Sequence, residues 1–336
     1  MKCFNTRYND IIKAELHCHL GGSIRTATII DIAREYKLKL PSYEVDTLNQ
    51  YMKVYDQLQD LRAVLQAFAI AQTAFASPAA VERIAYELFE DAARQNIKLF
   101  ELRFSPDWAF RGHDLNWDTA FEGILKAQAD AEKRFNMTIG LITISSRSLG
   151  IASCEKTINW TLRWKDLIHG IDLADGEADN PIDLFVKPVL KAKEAGLKVT
   201  VHSGEETPAA AVVKTIHAVR PDRIGHGIHI IEDMDAVELV KARDITLEVC
   251  PWSNYLTNSV RRIEEHPLKQ LYDLGVKTTI NSDDPEVLET NLNNEYRIAH
   301  EILGMSMADL AVCNRYAVEA SFLPEKKKKA IMRQVQ

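Results

Sequence analysis

The sequence predicts a TIM barrel of the α/β class, a closed (β/α)8 barrel, with extra helices inserted between its first and second strands. Eight short apolar runs have the length and composition of buried strands. Most are separated by segments in which apolar side chains recur every three or four positions, as on one face of a helix. Eight strands that alternate with helices are most economically joined as a closed parallel barrel. A doubly wound open sheet is the alternative.

The predicted strands share a short apolar core bounded by charged or turn-forming residues. They lie at 13–20, 97–104, 137–144, 167–174, 197–203, 222–227, 245–250 and 276–282. Helical periodicity is clear at 181–196 and 233–244. Gly196 and Gly275 each follow a helical run and precede a strand, the place where glycine commonly ends a helix.

Residues 24–95 do not fit a single strand–helix repeat. Their periodicity predicts helices over 24–36, 47–75 and 79–95. These helices could pack against the side of the barrel or form a lid over its mouth, since insertions at the carboxyl ends of barrel strands surround the active site. With no internal repeat and no linker rich in Gly, Pro or Ser, residues 1–336 are predicted to form one domain.

Composition excludes several classes of partner. The chain has 336 residues and a formal net charge of -7, whereas nucleic-acid binding needs a basic face. The short run Lys326–Lys329 is typical of a solvated helix face. No apolar stretch of about 18 residues predicts a membrane span. The expected partner is therefore a small molecule, not a nucleic acid or a membrane, and the sequence gives no oligomeric state.

Cysteine usage and the N-terminus indicate a compartment. The five cysteines are scattered, odd in number and without a CxxC pair, which does not suit a disulfide framework. The first residues, MKCFNTRYNDII, lack the apolar segment of a signal peptide. We therefore expect a cytoplasmic protein.

Chemically active side chains gather at the ends of four predicted strands. The first strand ends in His17-Cys18-His19, whose two histidines share one face of an extended strand. The fifth ends in His202-Ser203-Gly204-Glu205, the sixth in Gly225-His226-Gly227, and the eighth in Asn281-Ser282-Asp283-Asp284. Each motif alone is weak evidence. In a barrel, however, these ends meet on one rim, where imidazoles and a carboxylate could bind one Zn²⁺.

These motifs resemble those of the adenosine deaminase branch of the amidohydrolase superfamily, and the resemblance runs nearly end to end. The blocks that carry it are HCHLGG at 17–22, HSGE at 202–205, GHG at 225–227 and NSDDP at 281–285, with ELRFSP at 101–106, GIDLA at 170–174 and CPWSN at 250–254. The resemblance implies hydrolytic deamination of a 6-aminopurine nucleoside to an inosine-like product and ammonia. It also implies one zinc ion per chain.

The resemblance further implies a role for each site residue. The zinc ligands would be His17, His19, His202 and Asp283. Glu205 would shuttle protons, His226 would orient the attacking water, and Asp284 would recognise the base. Asp175 and Gly176 would touch the purine ring through their backbone.

The chemistry of the reaction agrees with these roles. Purine C6 is a poor electrophile and water a poor nucleophile, and zinc lowers the pKa of bound water from 15.7 to about 7. A carboxylic acid such as Glu205 can protonate the ring and then the departing ammonia. An imidazole such as His226 can stabilise charge at the tetrahedral centre. Deaminases of the cytidine type instead use H-x-E with P-C-x-x-C, and neither motif occurs here.

Two positions depart from the family pattern. Gly21 stands where the family has an aspartate that reaches the 5′ side of the ribose, and Arg25 follows four residues later. This suggests a 5′-extended or phosphorylated substrate, of the N6-methyl-AMP or aminodeoxyfutalosine type, as an alternative to adenosine. The second departure is the order Asp175-Gly176 where the family often shows Gly-Asp, which could shift the backbone contact to the ring.

Three further alternatives remain open. The substrate could be adenine itself. A binuclear amidohydrolase usually needs a bridging Lys or Glu at a mid-barrel strand end, whereas the fourth strand here ends in Asp172-Leu173-Ala174-Asp175, which favours one metal. A non-catalytic nucleoside-binding barrel would release no ammonia.

Overall fold

The computed structural model describes residues 6–58 and 68–335. Its eight strands form one parallel sheet in sequential order. The strands are β1 Lys13–His19, β2 Ile97–Phe104, β3 Thr138–Ser146, β4 Gly170–Ala174, β5 Lys198–Ser203, β6 Arg223–His226, β7 Thr246–Val249 and β8 Thr278–Ile280. All eight predicted strands are confirmed; β4 and β8 are shorter than the apolar runs that predicted them, and β3 extends two residues further toward its carboxyl end.

The sheet closes between its first and last strands. The Asp283 N–H donates to the His17 carbonyl at 2.9 Å, and the His19 N–H donates to the Asp283 carbonyl at 2.9 Å. These reciprocal bonds follow directly on β8 and join it to β1. The architecture is therefore the closed barrel, not the open doubly wound sheet.

Helices cover the outside of the barrel. They are α1 Thr26–Tyr36, α2 Val45–Met52, α3 Pro78–Arg94, α4 Pro106–Ala109, α5 Trp117–Phe135, α6 Gly150–Arg163, α7 Val186–Glu194, α8 Ala209–Val219, α9 Met234–Ala242, α10 Pro251–Leu256, α11 Leu268–Asp273, α12 Leu292–Arg297, α13 Met307–Ala320 and α14 Glu325–Met332. A π-helical turn, Ile298–Ile302, continues α12. None of the helices in the described ranges is long and apolar enough to cross a membrane.

The insertion between β1 and β2 differs in part from the prediction. The helices predicted at 24–36 and 79–95 correspond to α1 and α3, but the single helix predicted over 47–75 is wrong. Helix α2 ends at Met52, and the backbone N–H groups of Val54 and Leu58 then donate to Val287 and Leu256, at 2.8 and 2.9 Å. Those bonds replace the helical ones. Residues 59–67 of the segment lie outside the described residues, and 68–72 are helical.

Three residues at or just beyond strand ends have left-handed backbone conformations although they are not glycine. They are Asp175, His226 and Asp283, with φ of 73°, 59° and 62°. A non-glycine residue pays a steric penalty for positive φ, and such residues concentrate at functional sites. All three side chains belong to one cavity at the carboxyl ends of the strands.

Candidate active site

The predicted zinc ligands converge at the carboxyl end of the barrel. His17 Nε2 lies 3.0 Å from His19 Nε2 and 3.0 Å from His202 Nε2. Asp283 Oδ1 lies 3.4 Å from His17 Nε2 and 3.2 Å from His19 Nε2. Donor atoms bound tetrahedrally to one zinc, each 2.0–2.1 Å from it, would be about 3.3 Å apart. The spacing and chemistry of these four side chains therefore fit one zinc ion.

Buried carboxylates orient two of these histidines. His17 Nδ1 donates to Glu248 at 3.1 Å, and His202 Nδ1 donates to Asp172 at 3.0 Å. Burial favours the neutral carboxyl, but His202 and Arg103 hold the pKa of Asp172 below its usual value. Arg103 and Arg223 likewise hold the pKa of Glu248 far down against burial. With their protons on Nδ1, both rings turn an Nε2 lone pair toward the shared space, the arrangement typical of metal-binding histidines.

Arg103 joins the two carboxylates. Its guanidinium donates to Asp172 at 2.9 Å, contacts Glu248, and donates twice to the Leu16 carbonyl, at 3.1 and 2.9 Å. Its side chain is fully buried, as are those of both carboxylates. No site role was predicted for Arg103, Asp172 or Glu248. The sequence did contain an indication of this role: a charged residue within an apolar strand is buried, and a buried charge needs an oppositely charged or hydrogen-bonding partner.

Glu205, just after β5, and His226, at the end of β6, face this cluster. His226 Nε2 lies 3.4 Å from Glu205 Oε2 and 3.8 Å from Asp283 Oδ2. Burial raises the pKa of Glu205 well above its usual value, and the charge of Asp283 raises it further. A buried carboxyl that tends to keep its proton suits an acid.

Glu177 holds the loop that carries Glu205. Its carboxylate accepts the backbone N–H groups of Gly204, Glu205 and Glu206 at 3.0, 2.8 and 2.7 Å. It lies in the segment where the family order of Gly and Asp is reversed. Sequence reasoning missed this role, because a carboxylate that caps a distant loop has no local pattern.

Asp284 packs against Gly22. An ideal Cβ on Gly22 would lie 1.9 Å from Asp284 Oδ1, so only glycine allows this carboxylate its position. Asp284 Oδ1 is buried without a partner. Burial, and then the charge of Asp283, raise the pKa of Asp284 well above its usual value. A buried, unpartnered polar atom on a cavity wall is available to a ligand.

A cavity of about 310 Å³ opens above these residues. Its apolar lining comes from Phe68, Phe104, Trp108, Ile144, Leu149 and Ala174. Asp175 also lines it, with Oδ2 accepting from the Ser146 hydroxyl at 2.5 Å and Oδ1 buried without a partner. The Ser105 hydroxyl is also buried and unpartnered. Gly176 is not among the residues that line the cavity.

The structure shows which groups surround Gly21 and Arg25. An ideal Cβ on Gly21 would lie 2.8 Å from the Trp108 ring and 3.8 Å from Phe68, so aromatic carbon occupies the space of the missing side chain. The Arg25 guanidinium is already paired with two carboxylates: it donates to Asp91 at 2.6 and 2.7 Å and to Glu90 at 2.7 Å. Both carboxylates lie on α3, so the charge of Arg25 is balanced within the protein.

A second set of metal-binding atoms overlaps the predicted one. His17, His202, His226 and Asp283 also bring one donor atom each to within 4.8 Å of one another. This set includes His226 in place of His19. Distances alone therefore leave both histidines within reach of an ion.

Comparisons with known proteins agree on one family. The family model described as adenosine deaminase matches residues 12–336. An adenosine deaminase of Clostridium botulinum (strain Langeland) is 34% identical over 326 residues, which cover 96% of this chain and 97% of that protein. The crystal structure of adenine deaminase from Arthrobacter aurescens is 26% identical, with a TM-score of 0.90 over 97% of this chain and 98% of that one. The apo structure of the N6-methyl-AMP deaminase from Arabidopsis thaliana is 25% identical, with a TM-score of 0.83 over 98% and 97% of the two chains.

Proposed function

Because the chain belongs to the adenosine deaminase family, we propose that it removes the 6-amino group of a purine nucleoside in a zinc-dependent hydrolysis that releases ammonia. The observation that carries this proposal is the convergence of three imidazoles and one carboxylate at 3.0–3.4 Å, with an acid beside them. The cavity above them has the apolar walls and few polar groups expected of a site for a small planar ligand.

One zinc ion per chain would be held by His17, His19, His202 and Asp283. His19 is preferred over His226 because its Nε2 is 3.2 Å from Asp283, whereas His226 Nε2 is 3.8 Å away. Asp172, in the middle of β4, is already bound by His202 and Arg103. It is therefore not free to bridge a second ion, which supports a mononuclear site.

Each remaining residue contributes a specific interaction. Bound zinc would lower the pKa of water and so supply the nucleophile. Glu205 would give its proton to purine N1, which makes C6 electrophilic, then take up the proton that the attacking water loses and pass it to the departing amine. His226 would hydrogen-bond the attacking oxygen. Asp284 would face the base with its buried, unpartnered Oδ1.

Features of the cavity wall favour a substrate without a phosphate. Among the described lining residues the one cationic side chain is Arg103, whose guanidinium is already engaged by two carboxylates and a carbonyl. Asp175 adds a carboxylate to the wall, and Trp108 with Phe68 fill the space at Gly21. We therefore favour adenosine over a 5′-phosphorylated nucleoside. Adenine, the substrate of the Arthrobacter aurescens enzyme, is the second candidate because of that structural similarity.

We also propose a domain organisation and a cellular compartment for the enzyme. Residues 1–336 would act as one barrel domain. The four cysteines within the described residues are buried and free, which suits the reducing cytoplasm.

Two variants test the proposal. Ammonia release would be measured with adenosine, adenine, N6-methyl-AMP and 5′-substituted adenosines, and zinc by elemental analysis. His17→Ala should lose both zinc and activity. Glu205→Gln should keep zinc near one per chain but lose about two to four orders of magnitude in kcat, since an amide has no proton to transfer.

The outcomes separate the assigned roles. Normal zinc and turnover in His17→Ala would contradict the metal site, and zinc loss in Glu205→Gln would make Glu205 a ligand. Absence of ammonia with every compound would favour the non-catalytic alternative.

A further inference from the structure

His226 has a different kind of partner behind it from His17 and His202. Its Nδ1 lies 3.0 Å from the side-chain nitrogen of Asn254, and the Asn254 oxygen lies 3.1 Å from His266 Nε2. The Asn254 and His266 side chains are buried and do not line the cavity. Such a series of hydrogen bonds determines which nitrogen of each ring carries the proton if the group at one end is a donor that cannot accept.

The chain ends on a donor of this kind. The backbone N–H of Leu268 donates to His266 Nδ1 at 3.1 Å, so that nitrogen carries no proton. A neutral His266 therefore has its proton on Nε2 and donates to the Asn254 oxygen. Burial lowers the pKa of His266 to about 3, which agrees with a neutral ring.

The donor-to-acceptor direction of these hydrogen bonds also determines the protonation of His226. Because its oxygen accepts from His266, Asn254 presents its N–H group to His226, and Nδ1 must accept. The single proton of a neutral His226 is then on Nε2, the nitrogen that faces Glu205 and Asp283. An imidazolium would place two N–H groups against each other at Asn254.

We propose that Asn254 and His266 are positioning residues that keep Nδ1 of His226 a hydrogen-bond acceptor and so direct the ring proton to Nε2. This inference rests on the proposed function for its catalytic meaning. A nitrogen that binds a metal must be unprotonated. The hydrogen-bond chain through Asn254 and His266 therefore keeps His226 from serving as a zinc ligand, although its Nε2 lies close enough to bind the ion. His226 then donates a hydrogen bond to the attacking oxygen, and the task of accepting a proton falls to Glu205.

The contrast with the carboxylate-backed histidines supports this assignment. Glu248 and Asp172 accept from Nδ1 and leave a lone pair on Nε2 of His17 and His202. Asn254 donates to Nδ1 and leaves a proton on Nε2 of His226. The site thus combines two rings with an unprotonated Nε2, suited to bind a metal, and one ring with a protonated Nε2, suited to donate a hydrogen bond.

The first test observes the proton directly. Zinc-loaded protein labelled with ¹⁵N-histidine would be studied by NMR, since protonated and unprotonated ring nitrogens differ in ¹⁵N shift, and His226→Gln would assign the signals. We expect a protonated Nε2 in the wild type. Asn254→Asp supplies an acceptor and should move the proton to Nδ1, while Asn159→Asp, at an exposed asparagine of α6, should change nothing.

The second test measures the consequence for turnover. Asn254→Asp should lower kcat by about 10- to 1000-fold, with KM within about threefold and zinc unchanged. His266→Leu removes the donor to Asn254 and should also lower kcat, and His266→Gln, which can still donate, should recover part of the loss. These variants keep the question answerable if Asn254→Asp fails to fold.

Two results would overturn the inference. One is a protonated Nδ1 on His226 in the wild type. The other is an Asn254→Asp variant whose proton has moved while kcat is unchanged. If the wild type releases no ammonia, the proposed function fails, but the NMR result still decides the state of His226.

Discussion

The floor and the wall of the cavity satisfy their polar groups in opposite ways. The floor is the buried layer beneath the cavity, made of His17, Arg103, Asp172, His202 and Glu248. Every side-chain nitrogen or oxygen in this set has a hydrogen-bond or ion-pair partner, apart from the two Nε2 lone pairs of His17 and His202 that face the proposed zinc. The wall consists of Phe68, Ser105, Trp108, Asp175 and Asp284, and three of its polar atoms are buried without partners: Ser105 Oγ, Asp175 Oδ1 and Asp284 Oδ1.

This difference separates chemistry from specificity. A saturated floor is rigid before any ligand arrives, because each buried charge is fixed by an opposite one, as a preorganised reaction site requires. Unpartnered atoms on the wall instead have hydrogen bonds left to make, and a ligand can supply them. The floor therefore determines which reaction occurs, and the wall determines which purine undergoes it.

The largest effect should come from breaking the floor. Arg103→Met would leave Asp172 buried without a guanidinium and Glu248 with Arg223 alone, and we expect a loss of about 3–5 kcal/mol in the free energy of unfolding. Zinc affinity should also fall, by about 10- to 100-fold, because both oriented histidines lose their support. Denaturant titration of metal-free protein and zinc competition with a chelator measure the two effects.

A matched substitution shows whether burial is the cause. Arg94→Met removes an arginine whose side chain is 56% exposed and which pairs with Glu90 and Asp91 on the surface of α3. It should change stability by less than about 1 kcal/mol. Equal effects for the two variants would mean that the floor is not the rigid unit described above.

A smaller effect is expected on the wall at Asp175. Asparagine tolerates positive φ as aspartate does and can still accept from Ser146, so Asp175→Asn changes mainly the unpartnered oxygen. If that oxygen accepts from the substrate, the variant should raise KM about 10-fold or more, as for a hydrogen bond to a charged group worth about 1.5–3 kcal/mol. kcat should stay within about twofold, and steady-state kinetics measure both.

The control for this variant lies outside the cavity. Asp183→Asn alters an exposed aspartate that pairs with Lys214 and should leave both constants unchanged. An unchanged KM in Asp175→Asn would assign its carboxylate to the loop and not to the substrate.

The two regions also differ in how far the sequence predicts them. The ligand positions followed from polar residues at strand ends, since a barrel brings those ends together whatever the details of packing. Arg103 and Glu248 were within reach of the same reasoning but were missed, because their partners lie on distant strands. The direction of the Asn254–His266 chain depends on one backbone N–H, which no residue pattern reveals.

The wall was the least predictable region. Gly21 suggested open space, but whether a missing side chain leaves a hole depends on its neighbours in the fold, and Trp108 comes from α4, which follows β2. The insertion shows the same limit. Residues 47–58 have helical periodicity, yet backbone bonds from Val54 and Leu58 to Val287 and Leu256 end the helix.

The smallest expected effect concerns the substrate's 5′ end. With aromatic carbon beside Gly21, the wild type should gain little from a 5′-hydroxyl and should use adenosine and 5′-deoxyadenosine with kcat/KM values within about threefold. Gly21→Asp alone would force its Cβ to 2.8 Å from the Trp108 ring. The double variant Gly21→Asp with Trp108→Leu makes room for an acceptor and should favour adenosine by about 2- to 12-fold more than Trp108→Leu alone, because a neutral hydrogen bond contributes about 0.5–1.5 kcal/mol. A hundredfold preference for adenosine in the wild type, unchanged in the double variant, would show that another residue binds the hydroxyl and that position 21 does not control this end of the substrate.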